Sequence, residues 1–581
     1  MVANSATLKS KEELIEKWGK QEVITGSEML LRSLLLEGVD CVFGYPGGAV
    51  LYIYDAMYGF EDFNHLLTRH EQGAIHAADG YARSTGKVGV CIATSGPGAT
   101  NLVTGIATAY MDSVPLVVIT GNVATTLIGT DAFQEADIVG ITMPITKHSY
   151  LVRKAEDLPR IIHEAFHIAN SGRKGPVLID IPKDVSNEKT LFKPVTEVKL
   201  RGYNPTVQPN KQQVDKMLRA IEQSERPVLL VGGGAVYSGA HEEVLAFAEK
   251  TGIPVTTTLL GLGAFPSGHE LHMGFPGMHG TWTANMAIQE SDLLVNIGAR
   301  FDDRVTGKLN GFAPNAKIVH VDIDPAEIGK NVPTDIPIVG DVKAVLQLAV
   351  AGAKYADKAD AWRAQIAARK AAKPFTYKDS EEELKPQWVV SMIHETTHGD
   401  AIVTTDVGQH QMWAAQYYPF NQPRSWVTSG GLGTMGFGFP SAIGAQMGNP
   451  DRTVVSINGD GGMQMCSQEL AVCAINNIPV KVAILNNQVL GMVRQWQELI
   501  YDNRYSHIDL AGSPDFVKLA EAYGVKAFRA SNKDEARTAW EAALAHDGPA
   551  VVEFVVRKGE NVYPMVTQGS TIDQMLMGDD E

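Results

Sequence analysis

An acidic residue among glycines and a later pair of amides are the residues of this sequence best suited to chemistry. Gly459-Asp460-Gly461-Gly462 follows the apolar run Val454–Ile457, and Asn486-Asn487 follows a second run, Val480–Leu485. Met463–Ile475, between them, has the pattern of a helix. This order predicts one β-α-β unit. Because parallel neighbouring strands end at one edge of a sheet, the acid and the amides 26 residues later should meet there.

The chemistry that suits these residues is the binding of a metal ion and a phosphate group. A carboxylate with an amide oxygen fits Mg²⁺, which usually also takes phosphate oxygens. Glycines at a helix N-terminus let backbone N–H groups approach those phosphates. A Gly-Asp-Gly sequence alone is most often an ordinary turn. Its combination with two predicted strands and the paired amides is far more specific.

The elements that must position these residues recur along the whole chain. Short, strongly apolar runs end in glycine-rich turns and alternate with helix-period segments, which predicts parallel strands buried on both faces. The fold class is therefore α/β, with doubly wound parallel sheets and ligands at the carboxyl ends of the strands. Further predicted strands are Val88–Thr94, Leu116–Thr120, Val228–Val231, Leu293–Ile297 and Ile318–Ile323.

Composition excludes several classes of protein. The 581 residues carry a net charge of −16, which disfavours nonspecific nucleic-acid binding. No apolar stretch is long enough for a membrane span. Four cysteines without a CxxC pair argue against a disulfide scaffold or a zinc site and favour a reducing, cytoplasmic location. Residues 1–22 are rich in glutamate and resemble neither a signal nor a transit peptide. An organellar location would require a presequence that has already been removed.

Two irregular stretches predict the domain boundaries. Residues 186–212 mix Lys, Pro and Asn without periodicity, and residues 353–387 are rich in Ala, Lys and Glu, with a helix expected at about 358–372. We read both as surface linkers. The predicted domains are 1–190, 191–375 and 376–581, each of a size that can fold around its own core.

At this point the sequence resembles a known family. The Gly-Asp-Gly and Asn-Asn unit resembles the diphosphate-binding motif of thiamine-diphosphate (ThDP) enzymes, and the resemblance runs from about Gly26 to Gln574. Within these enzymes it narrows to the large catalytic subunit of the anabolic, FAD-containing acetohydroxyacid synthases, also called acetolactate synthases. The segments that carry it are 45–49 (YPGGA), 69–74 (RHEQGA), 94–101, 130–137 (TDAFQEAD) and 300–304 (RFDDR).

The resemblance implies an N-terminal pyrimidine-binding domain, a central FAD-binding domain and a C-terminal diphosphate-binding domain. It also implies the reaction. Pyruvate is decarboxylated and its hydroxyethyl unit is transferred to a second 2-oxo acid. Pyruvate as acceptor gives 2-acetolactate and 2-oxobutyrate gives 2-aceto-2-hydroxybutyrate, in the first common step of branched-chain amino-acid biosynthesis. The expected assembly is a homodimer or homotetramer, with room for a separate regulatory small subunit and with no nucleic-acid or membrane partner.

For ThDP and Mg²⁺, the resemblance implies a set of residues in the first and last domains. Glu71 would hydrogen-bond N1′ of the cofactor pyrimidine, although from local sequence alone it reads as a salt-bridged surface residue. Met435 would support the two cofactor rings, against the alternative of a core-filling methionine. The implied catalytic residues are Glu71, Gln134, Gly48 and Lys183. The implied ThDP contacts are Glu71, Val407, Gly408, Gln409, His410, Gly433, Met435, Gly459, Asp460, Gly461, Gly462, Asn487 and Met492. The implied metal ligands are Asp460, Asn487 and the carbonyl of Val489.

The central domain carries Gly232-Gly233-Gly234 after a strand, which alone is a weak nucleotide signal. Tyr237 stands where a GxGxxG motif needs its third glycine, and Asp322 lies 90 residues beyond Gly232 rather than about 20, so this is not a Rossmann fingerprint. The resemblance implies an FAD site nonetheless, with a structural FAD because the reaction has no net redox change. The matching residues are Arg173, Gly233, Gly234, Thr258, Leu259, Met278, His279, Gly298, Arg300, Asp302, Asp322 and Asp341.

Three residues are expected to contact the substrates. Arg304 would bind the carboxylate of the second 2-oxo acid, because its guanidinium can engage a carboxylate through two hydrogen bonds. The competing interpretation is an ion pair with a neighbouring aspartate. Trp496 would cover the alkyl group of the acceptor, although composition alone favours a core position. Phe133 would line the reaction pocket.

Two kinds of alternative remain open from the sequence. The nearest is another ThDP enzyme, such as the catabolic, FAD-free acetolactate synthase, pyruvate oxidase or glyoxylate carboligase; Arg300–Arg304 with Trp496 argues against these. The other is a nonenzymatic nucleotide-binding protein on the same scaffold. Intact Glu71, Asp460 and Asn487 argue against it, because a binding protein needs no pyrimidine activator.

Overall fold

Three parallel β-sheets organise the chain. The computed structural model describes residues 11–18, 22–60 and 62–578. In the first sheet, the strands in spatial order are Asn64–Leu67, Cys41–Tyr45, Gly89–Ala93, Leu116–Asn122, Pro176–Pro182 and His148–Leu151. All of its neighbouring strands run parallel.

The second and third sheets repeat this design. The second has the spatial order Val255–Thr257, Pro227–Val231, Leu293–Ile297, Lys317–Asp322 and Ile336–Val339. The third has the order Trp426–Thr428, Ile402–Thr405, Val454–Gly459, Lys481–Asn486, Ala550–Val555 and Lys526–Ala530. Two antiparallel pairs lie outside these sheets: Val23–Thr25 with Lys189–Leu191, and Met565–Val566 with Met575–Leu576.

Helices connect the strands and cover the sheets. Around the first sheet they are Lys11–Trp18, Gly26–Leu36, Leu51–Met57, Glu71–Thr85, Pro97–Thr100, Val103–Asp112, Ile138–Thr142, Leu158–Asn170 and Lys183–Asn187. Around the second they are Lys211–Gln223, Gly233–Ser238, His241–Thr251, Trp282–Glu290, Asp303–Thr306, Val342–Gly352 and Asp360–Ala372. Around the third they are Pro386–Thr396, Gln409–Tyr417, Gly438–Gly448, Asp460–Cys466, Leu470–Asn476, Gly491–Ile500, Phe516–Ala522 and Lys533–Leu544.

The central strands are largely apolar because each faces a core on both sides, whereas edge strands such as Lys526–Ala530 are partly exposed. In strand Gly89–Ala93, Val90 and Ile92 pack into one hydrophobic cluster while Cys91 and Ala93 pack into another. Successive side chains of a strand point to opposite faces, so a doubly covered strand must be apolar at every position. The predicted α/β class with doubly wound parallel sheets is confirmed.

The first and third domains share a core. Helix Glu71–Thr85 packs on helix Gly438–Gly448 so closely that a Cβ at Gly444 would lie 1.7 Å from the carbonyl oxygen of Ala77. A buried ion network stands beside this contact. Arg83 bonds Asp112, which also accepts the backbone N–H groups of Gly430 and Gly431. The elements that carry the N-terminal and C-terminal site residues are thereby fixed relative to each other within one chain.

Several sequence predictions can be compared with the described elements. The β-α-β unit is present, but the predicted helix Met463–Ile475 is wrong as one element: it is two helices separated by the 3₁₀ turn Ser467–Glu469. The stretch 186–212 is not wholly a linker, because Lys189–Leu191 forms a strand that straddles the predicted 190/191 boundary. The helix expected at about 358–372 is found at Asp360–Ala372.

The structure bears only in part on the predictions for membrane spans, for residues 1–22 and for the domain boundaries. Among the described residues, no helix combines the length and apolar character that crossing a bilayer requires. The sequence predicts that residues 1–22 form neither a signal peptide nor a transit peptide. Most of this segment, residues 1–10 and 19–21, lies outside the described residues. The exact domain boundaries stay predictions.

Candidate active site

Glu71 opens the helix Glu71–Thr85 and is half-buried at the carboxyl edge of the first sheet. Its Oε2 accepts a hydrogen bond of 3.0 Å from Nδ2 of Asn101, at the end of the glycine-rich turn after strand Gly89–Ala93. Its Oε1 lies 3.3 Å from the point where Gly98 would carry a Cβ, so the absence of that carbon keeps space beside the carboxylate. One carboxylate oxygen is therefore oriented and the other faces an open turn.

Gln134, Gly48 and Lys183 lie at the same edge, on a loop, at the start of a 3₁₀ turn and at the start of a helix respectively. Gln134 has a positive φ of 60° and packs against the turn at Gly96. Gly48 is exposed and begins a 3₁₀ turn that contacts helix Lys183–Asn187. The Lys183 ammonium lies 5.9 Å from the ring centre of Tyr52. The structure thus gathers the first-domain candidates at one sheet edge.

Phe133 lies on the loop next to Gln134 and is 88% exposed. A single exposed aromatic side chain is common on protein surfaces, and it indicates a contact surface only as part of a larger apolar patch. Phe133 lines no cavity described within this chain.

Asp460, Asn487 and Val489 lie at the carboxyl edge of the third sheet, where their two strands are neighbours. All three are buried. Oδ2 of Asp460 has no hydrogen-bond partner, and Oδ1 of Asn487 accepts the N–H of Val489 at 3.2 Å. Burial raises the pKa of Asp460 to about 6, against the stabilising N–H groups of Gly461 and Gln488. A buried carboxylate oxygen without a partner needs an explanation, and a cation supplies one.

Two further polar residues of the diphosphate set face the same turn. His410 contacts the position where Gly459 would carry a Cβ, and its Nε2 is buried without a partner. Burial lowers the pKa of His410 to about 3, so the ring is neutral and one of its nitrogens can donate a hydrogen bond. Gln409 is tied to Asn487, whose Nδ2 donates to its Oε1 at 3.4 Å.

The glycines and the methionine of this set meet at the same turn. Gly462 approaches Asp406 so closely that a Cβ would lie 1.5 Å from Oδ2, so only glycine fits. Met435 places its terminal methyl 3.6 Å from the Cβ position of Gly461. Met435 is half-buried, and Gly433 and Gly436 on either side adopt positive φ angles of 70° and 88°. Met435 therefore borders the Gly-Asp-Gly turn rather than filling a closed core.

Residues of all three domains enclose a large cavity of about 1040 Å³. That size is at the upper end of small-molecule sites and is sufficient for a dinucleotide. It is lined by all twelve residues expected to contact FAD, and also by Val407, Gly408, Gly433, Met492, Arg304 and Trp496. Within it, burial raises the pKa of Asp322 to about 6. The cavity therefore joins the expected FAD residues to part of the ThDP set and to two expected substrate residues.

Arg304 and Trp496 line this cavity, and few other protein groups engage their side chains. The Arg304 side chain is 64% exposed, and its nearest carboxylate, Asp303, is 3.9 Å away. Asp302 instead caps the short helix Asp303–Thr306 by accepting the N–H groups of its first turn. The competing ion-pair interpretation of Arg304 is therefore weak. Trp496 is half-buried on helix Gly491–Ile500, one turn from Met492, rather than in the core.

The structure does not bring all of the predicted residues into one site. In the described chain, no hydrogen bond or ion pair joins Glu71 to Asp460, Asn487 or Val489. Glu71, Gln134, Gly48, Lys183 and Phe133 also lie outside the large cavity. One chain therefore presents two groups of residues, one at the edge of the first sheet and one at the edge of the third.

Models of three protein families match this chain in order. They are the N-terminal TPP binding domain of thiamine pyrophosphate enzymes at residues 24–141, the central domain at 214–348 and the C-terminal TPP binding domain at 406–554. Individual relatives are also similar. The chain is 52% identical over 564 residues to an acetolactate synthase of Mycobacterium bovis, covering 95% of this chain and 91% of that protein.

The chain is also 52% identical over 560 residues to the acetolactate synthase large subunit of Corynebacterium glutamicum, covering 95% and 90%. It is 48% identical over 571 residues to the acetolactate synthase isozyme 3 large subunit of Escherichia coli, covering 96% and 100%. The chain belongs to the acetolactate synthase large subunits. It is therefore an enzyme that depends on thiamine diphosphate, and the nonenzymatic alternative is excluded.

For this acetolactate synthase large subunit, the structure reveals positioning residues that the sequence alone did not indicate. Asn101 orients Glu71, and Gln495 accepts a hydrogen bond of 2.9 Å from Nε2 of Gln409. Glu469 is fully buried and accepts the backbone N–H of Arg69 at 3.1 Å. These contacts join residues far apart in the chain, so no local sequence pattern predicts them.

Proposed function

We propose that this chain catalyses the acetolactate synthase reaction with Mg²⁺ and FAD beside thiamine diphosphate. Pyruvate would be decarboxylated and its hydroxyethyl unit transferred to pyruvate or 2-oxobutyrate. The observation that carries the proposal is the 1040 Å³ cavity, in which the whole expected FAD set meets Arg304, Trp496 and the cofactor residues Val407, Gly408 and Gly433. This meeting of three residue sets favours the FAD-containing synthase over its FAD-free relative.

The residues present fit Mg²⁺. Asp460 offers a buried carboxylate oxygen without a partner, and Asn487 offers an amide oxygen beside it. The set is one carboxylate with amide and carbonyl oxygens, the hard oxygen ligands that Mg²⁺ takes together with phosphate oxygens. Accordingly, the described residues contain no group of three or more His, Cys, Asp or Glu side chains arranged for a metal. Asp460, Asn487 and the Val489 carbonyl would hold the ion.

The cavity also fits FAD on its size and on the chemistry of its walls. Asp322, buried at the end of its strand, offers a carboxylate oxygen to a ribose hydroxyl. Because the overall reaction transfers a two-carbon unit without net oxidation, FAD would contribute structure to the cavity rather than electrons.

Bound thiamine diphosphate supplies a carbon nucleophile and an electron sink. Glu71 holds or releases a proton at the N1′ atom of the pyrimidine, with one carboxylate oxygen fixed by Asn101 and the other available. Neutral His410 donates a hydrogen bond toward the diphosphate, and Met435 supports the rings. Arg304 binds the carboxylate of the acceptor acid. Trp496 packs on its alkyl group, where one methylene changes binding by roughly 1–3 kcal/mol.

The functional unit would be a homodimer, or a tetramer of two such dimers. Glu71 and Asp460 must both contact one small cofactor, yet they lie in separate groups of the same chain. A two-fold pairing of chains would bring the first-domain group of one to the third-domain group of the other and create two equivalent sites. Exposed apolar side chains near the two groups support this: Phe133 at 88%, Met465 at 56% and Leu432 at 43%.

A regulatory partner and a cytoplasmic location are also part of the proposal. The relatives in Corynebacterium glutamicum and Escherichia coli are named large subunits. By analogy, a separate regulatory small subunit would bind this chain. The reducing, cytoplasmic location proposed from the cysteine pattern agrees with four cysteines that are all free and buried.

An omission assay tests the proposal. The purified protein is stripped of cofactors and acetolactate formation from pyruvate is measured with ThDP, Mg²⁺ and FAD together, then with each left out in turn. We expect activity only with all three. Full activity without FAD would contradict the FAD-containing assignment, and absence of acetolactate in the complete mixture would contradict the reaction itself.

A further inference from the structure

Glu553 is a buried carboxylate for which the proposed reaction has no use. It lies on strand Ala550–Val555, and its side chain is 4% exposed. Both oxygens are engaged: Oε1 accepts Nδ2 of Asn486 at 2.7 Å, and Oε2 accepts Nε of Arg529 at 2.8 Å. Burying a charge is costly unless it is paired and hydrogen-bonded, and here both conditions are met.

The hydrogen bond to Asn486 connects Glu553 to the residue that directly precedes the proposed metal ligand Asn487. Asn486 ends strand Lys481–Asn486, and its Oδ1 accepts the backbone N–H of Gln488 at 3.0 Å. Gln488 has a positive φ of 57°. A non-glycine residue persists in that conformation only where its surroundings hold it. The Asn486 side chain therefore stabilises a strained turn through this hydrogen bond.

This turn sets the places of Asn487 and Val489. These residues flank Gln488, and Oδ1 of Asn487 accepts the N–H of Val489 across it. On the far side, the Gln488 carbonyl accepts the N–H of Leu510, which anchors the outer chain. A shift of the Gln488 peptide would move the Asn487 amide and the Val489 carbonyl together.

We propose that Glu553 is a positioning residue for the Mg²⁺ site: through Asn486 it fixes the turn at Gln488 and so places Asn487 and Val489 beside Asp460. The inference rests on the proposed Mg²⁺ site. The bond between Glu553 and Arg529 alone would only tie two strands that already pair in a parallel ladder. The second bond, to Asn486, gives Glu553 a role at the metal.

The decisive variant is Glu553→Gln. An amide at this position has one acceptor oxygen for two donors, Asn486 and Arg529, and its NH₂ group faces one of them. Loss of an outer contact to a metal ligand typically weakens metal binding 10- to 100-fold. We expect the dissociation constant for Mg²⁺ to rise about tenfold, measured by calorimetric titration of Mg²⁺ into full-length, metal-free protein with ThDP present.

A matched control tests the Arg529 ion pair separately from the bond to Asn486. Asp515 also bonds Arg529, at 2.6 Å, but makes no contact with Asn486. Asp515→Asn removes one nearby negative charge and keeps a side chain that can cap its helix. We expect it to bind Mg²⁺ as the wild type does. Equal weakening in Asp515→Asn and Glu553→Gln would overturn the proposal in favour of an effect of the Arg529 ion pairs.

A paired exchange tests the hydrogen bond itself. In Asn486→Asp with Glu553→Gln, the new amide at 553 donates to the new carboxylate at 486, which still accepts the Gln488 N–H. The net charge is unchanged. We expect Mg²⁺ affinity to return to within about threefold of wild type or better, a non-additive result that reports direct coupling.

The remaining outcomes are also informative. Wild-type Mg²⁺ affinity in Glu553→Gln would overturn the positioning role, even if thermal stability fell. Failure of the paired exchange to recover affinity would overturn the hydrogen-bond route. A wild-type protein that takes up no Mg²⁺ would overturn the metal site of the proposed function instead, so the two failures are distinguishable.

Discussion

At the scale of single residues, the site contains polar atoms that lack hydrogen-bond partners within the chain. Glu71 has one oxygen fixed by Asn101 and one facing an open turn, while Oδ2 of Asp460 and Nε2 of His410 are buried without partners. Buried polar atoms are nearly always paired within a folded chain, so unmatched ones mark places where a ligand completes the bonding. Here they fall in the segments that the sequence motifs indicate.

The role of Glu71 gives a direct prediction. Glu71→Gln keeps the size of the side chain and its contact with Asn101 but removes the carboxylate that exchanges a proton with the pyrimidine. We expect turnover to fall by about 10²-fold or more, with ThDP retained, because loss of a general acid–base group has effects of this size. Steady-state rates with measured ThDP occupancy check it. Turnover near that of wild type would show that Glu71 is not the proton-transfer group.

At the scale of elements, most of the third-domain site was predictable and some of it was not. Two apolar runs with Asp460 and Asn487 at their ends specify a β-α-β unit, because strand burial and parallel pairing leave little freedom. The break at Ser467–Glu469 was missed. Nothing in the local sequence stops the helix there; Glu469 instead reaches the backbone of Arg69 in another domain, a tertiary contact that propensities do not encode.

The large cavity shows more strongly that local sequence cannot predict contacts between distant segments. Gly232-Gly233-Gly234 is a weak signal, and its companions come from segments as distant as Arg173 and Asp341. Only the resemblance to a family assembled the set, because no spacing rule joins residues from two domains. The structure then placed them around one cavity.

The contact of Glu469 with the start of the Glu71 helix predicts a dependence of stability on pH. Burial raises the pKa of Glu469 from 4.5 to about 7, against the stabilising N–H groups of Arg69 and His70 and the positive Arg69 side chain. Between pH 4.5 and 7 the folded chain therefore keeps a proton that the unfolded chain has lost. The contribution of Glu469 to stability is fully present below the lower value and is lost as pH rises through about 7.

Glu469→Gln removes this titration, so stability relative to wild type should change with pH. Between pH 4.5 and 7.5, the free energy of unfolding of wild type should fall relative to the variant by on the order of 3 kcal/mol. Urea unfolding of both proteins at several pH values, monitored by tryptophan fluorescence, measures the difference. A constant difference across this range would contradict a buried, protonated Glu469.

At the scale of the whole molecule, the proposed site draws on residues at the edges of two sheets. Glu71 and its neighbours lie at the edge of the first sheet, and the Asp460 group lies at the edge of the third. Helix Glu71–Thr85 is locked onto helix Gly438–Gly448 in the same chain, with a Gly444 contact too close for any side chain. We propose that a second copy of the chain completes the site.

Mixed dimers test this arrangement. Glu71→Gln and Asp460→Ala each inactivate both sites of their own homodimer, the first by removing the proton-transfer group and the second by removing a metal ligand. If each site takes Glu71 from one chain and Asp460 from the other, a mixed dimer has one site with both lesions and one with neither. Random exchange of equal amounts makes half of the dimers mixed, so activity should recover to about a quarter of wild type.

The measurement combines acetolactate formation with an independent record of exchange. One variant carries an affinity tag or heavy isotopes, and native mass spectrometry gives the mixed fraction at each time. Activity should rise in proportion to that fraction. Complete exchange without recovery would mean that Glu71 and Asp460 serve the same cofactor within one chain, and the shared-site model would be wrong.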